Sequence, residues 1–474
     1  MVALTPPVCD SVTRMLTGFP RLRRVMATTA LVAGLAAGCG PADRPAAAPE
    51  NLLLITLDTL RADHLGCYGY GRDTSPALDR FATSSTLFVD VTCSMPTTLP
   101  SHATIFTGLS PAVHGLTRNG MVPERDLVTV FDRFADRGLR TAAIVSAGVV
   151  QVRFLTGFGF QDVIFDRPNP QVFQIAADVV SDNALRWLDR YGDQNFALWL
   201  HYFDTHEPYT PPPEHARIFT GEYDGPLPER LETDWLVSLN DPRVEAELTV
   251  ADRRHVMDLY DAEIAFLDRQ LGRVLQGLED RGLLETTMVV IVGDHGQAHG
   301  ENGFWGHGER LLEPVIKVPM LIRLAGQTVG RSVVESVETL DLAPTIVEIF
   351  GLPEMELRPG RSLAKALNGG TIDGAERRIV VRRDYPTEPV RRGLVVHLGS
   401  AKGTYYREPD GQSFHVGRID GAGGLDGENF YAPGSPGSQW FEFDVSRFLE
   451  YDVESESAVS GEDLEMLRAL GYTQ

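Results

Sequence analysis

Cysteine is scarce in this chain: four among 474 residues, of which Cys9 and Cys39 lie in the amino-terminal stretch. The two that remain, Cys67 and Cys93, do not make a disulfide framework, although a single bridge between them stays open. Positive charge is also short, with 43 Lys and Arg against 65 Asp and Glu and a formal net charge of -22. A basic footprint for nucleic acid is therefore missing, and the acidity reads as ordinary solubility. It does not bar an anionic substrate, because a bound cation supplies positive charge locally. The apolar run near the amino end, Val25 to Ala37, is too short to span a bilayer, and no internal repeat is visible. What is present is 43% hydrophobic content, enough for a large core or two domains.

The amino end has the order of an export signal: the basic Arg21-Leu22-Arg23-Arg24, the apolar run, then small residues to Gly38-Cys39-Gly40. Leu35-Ala36-Ala37-Gly38-Cys39 resembles a bacterial lipoprotein box, with the leucine one place further from the cysteine than usual, and implies a lipid anchor at Cys39. Arg23-Arg24 is a weak pointer to twin-arginine export, Met1–Arg14 fits neither scheme, and Met15 fits as a start. The competing reading is a buried core helix. Residues 40–50, rich in Ala and Pro, read as a tether. The expected division is therefore 1–39 leader, 40–50 tether, 51–370 main domain and 371–474 small subdomain, with the protein exported to the periplasm or cell envelope.

From Asn51 onward, apolar strands alternate with amphipathic helices. Asn51–Leu57, Arg140–Val145, Phe196–Phe203 and Thr287–Val292 read as strands, the most apolar of them buried on both faces of a sheet. Leu87–Val91 and Val318–Arg323 are further strand-like runs, and Leu127–Arg137, Val172–Tyr191, Val250 to about Gly282 and Leu342–Phe350 are helical. Tyr209–Asn240, rich in Pro and acidic residues, has no periodicity and reads as a surface excursion. The fold class is α/β: a large, mostly parallel sheet sandwiched by helices. After a Gly/Pro/Arg-rich join at 351–370 come short strand-like pieces (Val380–Arg382, Leu394–His397, Thr404–Arg407, Trp440–Val445) and a helix from about Gly461 to Leu470. They predict a small antiparallel sheet with a terminal helix.

The candidate chemistry sits at strand ends. Asp58 and Asp294 each follow an apolar strand, where α/β folds place ligands, and His295 follows Asp294. Thr98 precedes Pro100 at the opening of a helix, where free N–H groups favour an anion. Taken singly, each has a bland reading: Asp58 and Asp294 as helix caps, Thr98-x-Pro-Ser-His102 as a plain helix entry. Together, two carboxylates, a hydroxyl and an imidazole suit one Mg²⁺, Mn²⁺ or Ca²⁺ ion.

With these residues in view, the chain resembles the sulfatase family of the alkaline phosphatase superfamily. Sulfatases carry Cys/Ser-x-Pro-Ser-Arg-Ala-x-Leu-Leu-Thr-Gly, and Thr98-Leu99-Pro100-Ser101-His102-Ala103-Thr104-Ile105-Phe106-Thr107-Gly108 aligns without a gap. The likeness continues through Leu57–Gly69, Phe203–Pro212, Gly293–Gly296, Gly306-His307-Gly308, Val318–Ile322, Asp341–Thr345 and Leu467–Tyr472. Departures from the pattern fall on the chemistry. Thr98 stands where sulfatases have the residue converted to formylglycine, and Ser94, in Ser94-Met95-Pro96, lacks the downstream match. His102 replaces an Arg, Thr59 replaces the second Asp of a pair, and Val145-Ser146-Ala147 stands in place of a Lys-x-His pair.

This set resembles the threonine-nucleophile relatives, such as lipoteichoic acid synthases. The resemblance implies a single metal on Asp58, Thr98, Asp294 and His295, with Thr98 as nucleophile. A second metal site looks absent, because Asp204 is followed four places later by Pro208. His206 is expected to contact the transferred group or protonate the leaving oxygen, and His307 to bind the oxyanion, unless it is a solvent-facing loop residue. His102 is expected to orient Thr98 or touch the substrate, with capping or packing as the alternative. His299, Glu301 and Trp305, in a Gly-rich loop beside the site, are candidates for setting specificity, with surface residues as the default reading, and Lys402 falls where relatives place a basic residue. The function expected is hydrolysis or transfer of phosphate esters, with phosphodiesters favoured, on a small-molecule, lipid-headgroup or glycan substrate. The alternatives are a sulfatase working without formylglycine, and a non-catalytic lipoprotein that binds anions or glycans.

Overall fold

The computed structural model describes residues 48–123, 126–150, 155, 157–308, 310–355, 360–372, 378–385, 391–398, 401–408 and 411–418. The leader, most of the tether, Trp440–Val445, the terminal helix and the side chain of Lys402 lie outside the described residues.

The apolar run Asn51–Leu57 (β1) is buried along its whole length, so both faces of its pleat meet packed neighbours. Further strands are Thr86–Phe88 (β2), Arg140–Val145 (β3), Asp162–Ile164 (β4), Phe196–Tyr202 (β5), Thr287–Gly293 (β6), Met320–Arg323 (β7) and Arg331–Val333 (β8). They join β1 in an eight-stranded sheet of order β8-β2-β7-β6-β1-β5-β3-β4. Every pairing is parallel except those of β7, which runs antiparallel to β6 and β2.

Because side chains alternate along a strand, the sheet has two cores. Leu52, Leu54, Trp199, Met288 and Val290 face one, with the helices Thr98–Thr107 (α1) and Leu342–Phe350 (α4). Leu53, Ile55, Leu198, Leu200, Val289 and Ile291 face the other, with Ala177–Tyr191 (α2) and Val250–Asp280 (α3). Packing on both faces fits the sandwich that the alternation of elements predicts.

Some elements depart from expectation. The strand read at Leu87–Val91 breaks into β2 and a two-residue strand, Val91–Thr92. The aperiodic excursion contains the helices Pro213–Phe219 and Thr233–Ser238, and Pro242–Glu247 follows. Helices this short show no repeating stripe, although proline in the first turn announces two of them. Arg378–Tyr385, Arg391–Leu398, Ala401–Glu408 and Gly411–Arg418 form a four-stranded antiparallel meander, one strand more than the run to Arg407 predicts. Cys67 and Cys93 are free thiols, so the bridge left open by the sequence is not formed.

Candidate active site

Leu57 is in register with Gly293 on one side and Tyr202 on the other. Asp58 and Asp294 therefore leave adjacent parallel strands at the same sheet edge. Asp58 Oδ1, Asp294 Oδ2 and His295 Nε2 are buried, lie within 4.8 Å of one another, and have no hydrogen-bond partner. His295 Nδ1 lies 3.1 Å from the Gly296 carbonyl, which only accepts, so Nδ1 carries the proton and Nε2 keeps its lone pair. That lone pair is 3.6 Å from Asp294 Oδ2 and 3.9 Å from Asp58 Oδ1. Three orphaned buried acceptors facing one another are costly unless a cation joins them. The donor set of two carboxylates and a backbone-anchored imidazole fits a hard divalent ion.

The electrostatics of the two carboxylates also fit a bound cation. Burial pushes the Asp58 carboxyl up, but the His201 hydrogen bond and the surrounding imidazoles outweigh it and hold the group at about 2. Asp294 is driven well above the ordinary carboxyl range, first by burial and then by the charge on Asp58. Neighbouring buried carboxylates do not both ionise without a compensating charge.

Thr98 is the first residue of α1 and is fully buried. Ser101 Oγ donates to the Asp294 carbonyl at 2.7 Å, which fixes the first turn beside the carboxylates. Asn119 Oδ1 accepts from the Leu99 N–H at 2.8 Å, satisfying one of the helix's open donors. His102 Nδ1 donates to the Thr98 carbonyl at 2.7 Å, and its Nε2 accepts from Thr56 Oγ1 at 2.8 Å. Thr56 in turn accepts from the Trp199 indole at 2.9 Å. Both ring nitrogens of His102 are thus taken. Burial lowers its pKa to about 3, so it is a neutral brace on the Thr98 backbone. With both nitrogens bonded inside the protein, this placement fits the orienting and the packing readings of His102.

His206 and His307 come together with their ring centroids 4.8 Å apart. His206, Glu207 and His307 also bring possible ligand atoms within 4.8 Å, but this group differs from the first. His206 Nδ1 donates to the Glu207 carbonyl at 2.7 Å. Gln297 Nε2 donates to Glu207 Oε2 at 2.8 Å, which fixes the amide, and its Oε1 accepts from His307 Nδ1 at 2.8 Å. The atoms that face one another are already hydrogen-bonded, which favours a polar cradle over a second metal cage. The His307 side chain is only 5% exposed, against the solvent-facing alternative. Its ring stacks on His295 with centroids 4.5 Å apart, joining the cradle to the carboxylates.

His299, Glu301 and Trp305 are corrected more sharply. His299 and Trp305 are buried, and Glu301 is half-buried. Glu301 Oε1 accepts from Arg61 at 2.6 Å, and His299 Nε2 meets the Tyr209 hydroxyl at 3.0 Å. Asn240 accepts from the Trp305 N–H and donates to its carbonyl, at 2.9 and 2.8 Å. These residues clamp the loop that leads to His307.

Sequence reasoning missed His201, Ser146, Glu207 and Gln297. It noted Thr59 only as the replacement of an Asp, whereas the structure places this β-branched residue at φ 54°, in the left-handed region. Its N–H donates to Asp294 Oδ1 at 3.3 Å, and its carbonyl accepts from the Tyr260 hydroxyl at 2.8 Å.

A family model described as "Sulfatase" matches residues 50–352. The human N-sulphoglucosamine sulphohydrolase is 27% identical over 403 residues, covering 78% of this chain and 77% of that protein. Among solved structures, the phosphonate monoester hydrolase of Agrobacterium radiobacter superposes with a TM-score of 0.66 at 18% identity, covering 85% of this chain and 95% of that one. A protein solved in complex with its substrate D-glucosamine-2-N,6-O-disulfate gives a TM-score of 0.70 at 19% identity, covering 87% and 100%. With a sheet of this order and a site at its carboxyl edge, the chain belongs to the sulfatase family and is an ester hydrolase.

Proposed function

We propose that this ester hydrolase is metal-dependent and acts on phosphate esters, with phosphodiesters favoured, through Thr98 as nucleophile. The observation that carries the reading is a set of three orphaned acceptors on Asp58, Asp294 and His295, joined by the Ser101–Asp294 bond to the first turn of the helix that Thr98 opens. Those three residues, with Thr98, would hold one divalent ion, Mg²⁺, Mn²⁺ or Ca²⁺. When bound, such an ion lowers the pKa of a hydroxyl and offsets charge on the transferring group.

Thr98 Oγ attacks phosphorus, the bond to the leaving oxygen breaks, and a phosphothreonine ester forms. Water or an alcohol then attacks phosphorus and returns the threonine hydroxyl. A threonine ester has no hemiacetal C–O bond to break, so the formylglycine route to sulfate release is closed to it. Phosphoryl transfer needs chiefly in-line positioning and charge stabilisation. His102 holds the Thr98 backbone, and the Ser101 bond holds the first turn of α1. Anchored through Nδ1 to the Glu207 carbonyl, His206 would contact the transferred group or protonate the leaving oxygen, and His307, anchored through Nδ1 to Gln297, would help bind the oxyanion. The leader and Cys39 support an exported, lipid-anchored enzyme in the cell envelope, which would act on a small-molecule, lipid-headgroup or glycan ester.

Sulfate-ester hydrolysis is the second reading, favoured by family membership and by relatives named as sulfatases. Matched aryl phosphodiester, phosphomonoester and sulfate esters, each assayed with Mn²⁺, Mg²⁺ and Ca²⁺, separate the two. The proposal expects metal-dependent diester turnover above sulfate turnover. Sulfate turnover that survives Thr98→Ala would overturn it.

A further inference from the structure

His201 faces Asp58 from the neighbouring strand, and its surroundings define what it does there. Its Nε2 is 3.2 Å from Asp58 Oδ2, and its Nδ1 is 3.2 Å from Ser146 Oγ. All three side chains are fully buried. A carboxylate oxygen accepts whereas a hydroxyl can donate, so Nε2 carries the proton and donates to Asp58. Nδ1 is then an acceptor and takes the Ser146 hydroxyl proton. This tautomer is opposite to that of His102 and His295, both of which donate from Nδ1 to a backbone carbonyl.

The partnership follows from strand register. Val145 is paired with His201 in the β3–β5 ladder, so Ser146, one residue on, leaves the sheet beside the imidazole. Ser146 lies in the stretch where the family pattern has a Lys-x-His pair. Ser146 therefore offers His201 a neutral hydroxyl from a stretch where that pattern has basic residues.

We infer that His201, fixed in its tautomer by Ser146, is a positioning residue that presents Asp58 Oδ1 to a divalent cation. Donation from Nε2 occupies Oδ2, and Thr205 Oγ1 donates to the Asp58 backbone carbonyl. The residue is thus held at one carboxylate oxygen and at its backbone, with Oδ1 the oxygen left facing Asp294 and His295. Outer partners of this kind orient ligands and raise metal affinity. The inference rests on the reading of Asp58 as a ligand. It goes beyond that reading by naming the residues that make Asp58 competent.

The test is Mn²⁺ binding, by calorimetry and by the free-ion paramagnetic resonance signal, on the full chain and its variants with no substrate present. His201→Ala is expected to weaken Mn²⁺ affinity about 10–100-fold, the range for loss of an outer-shell partner. Ser146→Ala frees the tautomer and is expected to weaken it several-fold, and His201→Gln, which keeps an N–H donor, to recover much of the loss. A core histidine with no role in cation binding would leave affinity unchanged in every variant that folds, and that result overturns the inference while sparing the Asp58 reading. If His201→Ala does not fold, Ser146→Ala and His201→Gln decide on the same scale. Wild-type protein that takes up no divalent ion removes both the inference and the reading beneath it.

Discussion

Thr59 is held in a conformation that threonine rarely adopts, and it is held there from two sides, by Asp294 and by the Tyr260 hydroxyl. Such backbone strain costs about 1–3 kcal/mol and persists where the surrounding structure enforces it. Its Oγ1 is buried without a partner. Thr59→Asp places there a residue that tolerates the left-handed region and adds a carboxylate where the family pattern has one. Mn²⁺ affinity is expected to rise about tenfold, since ligand charge count tunes such sites. Unchanged or weaker binding in the same titration would count against a cation at this edge. At this scale the sequence was legible where function coincided with punctuation. Asp58 and Asp294 end apolar strands, and Thr98 opens a helix marked by Pro100. His201, Glu207 and Gln297 carry no such mark. His201 looks like one polar residue in a buried strand until register sets it beside Ser146 and Asp58.

The elements are tied to one another by side chains that cap backbones far away in sequence. The helix Pro76–Ala82 has no side-chain cap of its own at Ser75. Asp268 on α3 supplies it, accepting from the Ala77 and Leu78 N–H groups at 2.8 Å each. Burial nevertheless raises the Asp268 carboxyl to about 6. A folded-state pKa above the unfolded one gives stability that is fully present below the unfolded pKa and lost as pH rises through the folded one. The stability difference between wild type and Asp268→Asn is therefore expected to shrink between pH 4 and pH 7, by roughly 1–3 kcal/mol in urea titrations. A difference that stays flat or grows would show the carboxylate to be better solvated than its burial implies. Long elements were legible because apolar periodicity accumulates over β1, β5, β6 and the 31 residues of α3. The short helices of the 209–249 segment were not, and neither was their link to the site. Asn240 reaches the Trp305 backbone, two residues before His307.

Across the molecule, a net charge of -22 surrounds a site that gathers two carboxylates at one sheet edge. Such a site is expected to release protons as it takes up a cation, because burial and the charge on Asp58 favour the protonated form of Asp294. Saturating Mn²⁺ is expected to raise the unfolding midpoint and EDTA to reverse it. The stabilisation is about 2.7 kcal/mol at a hundredfold excess over Kd, and larger at pH 7 than at pH 5. A midpoint that ignores both metal and chelator would contradict a cation-binding edge. The sandwich architecture was legible from the alternation of strands and helices, and the family from motifs in order along the chain. The acceptor geometry was not, because it depends on which ring nitrogen each histidine commits to the backbone. The central claim is that Thr98 carries the transferred group. It is tested most directly by acid-quenching the Mn²⁺-loaded enzyme within its first turnovers on an aryl phosphodiester and mapping the adduct by peptide mass spectrometry. The account predicts a phosphoryl adduct on Thr98 that is absent in Thr98→Ala along with turnover. Sustained turnover by Thr98→Ala, or an adduct on Ser94, would contradict it.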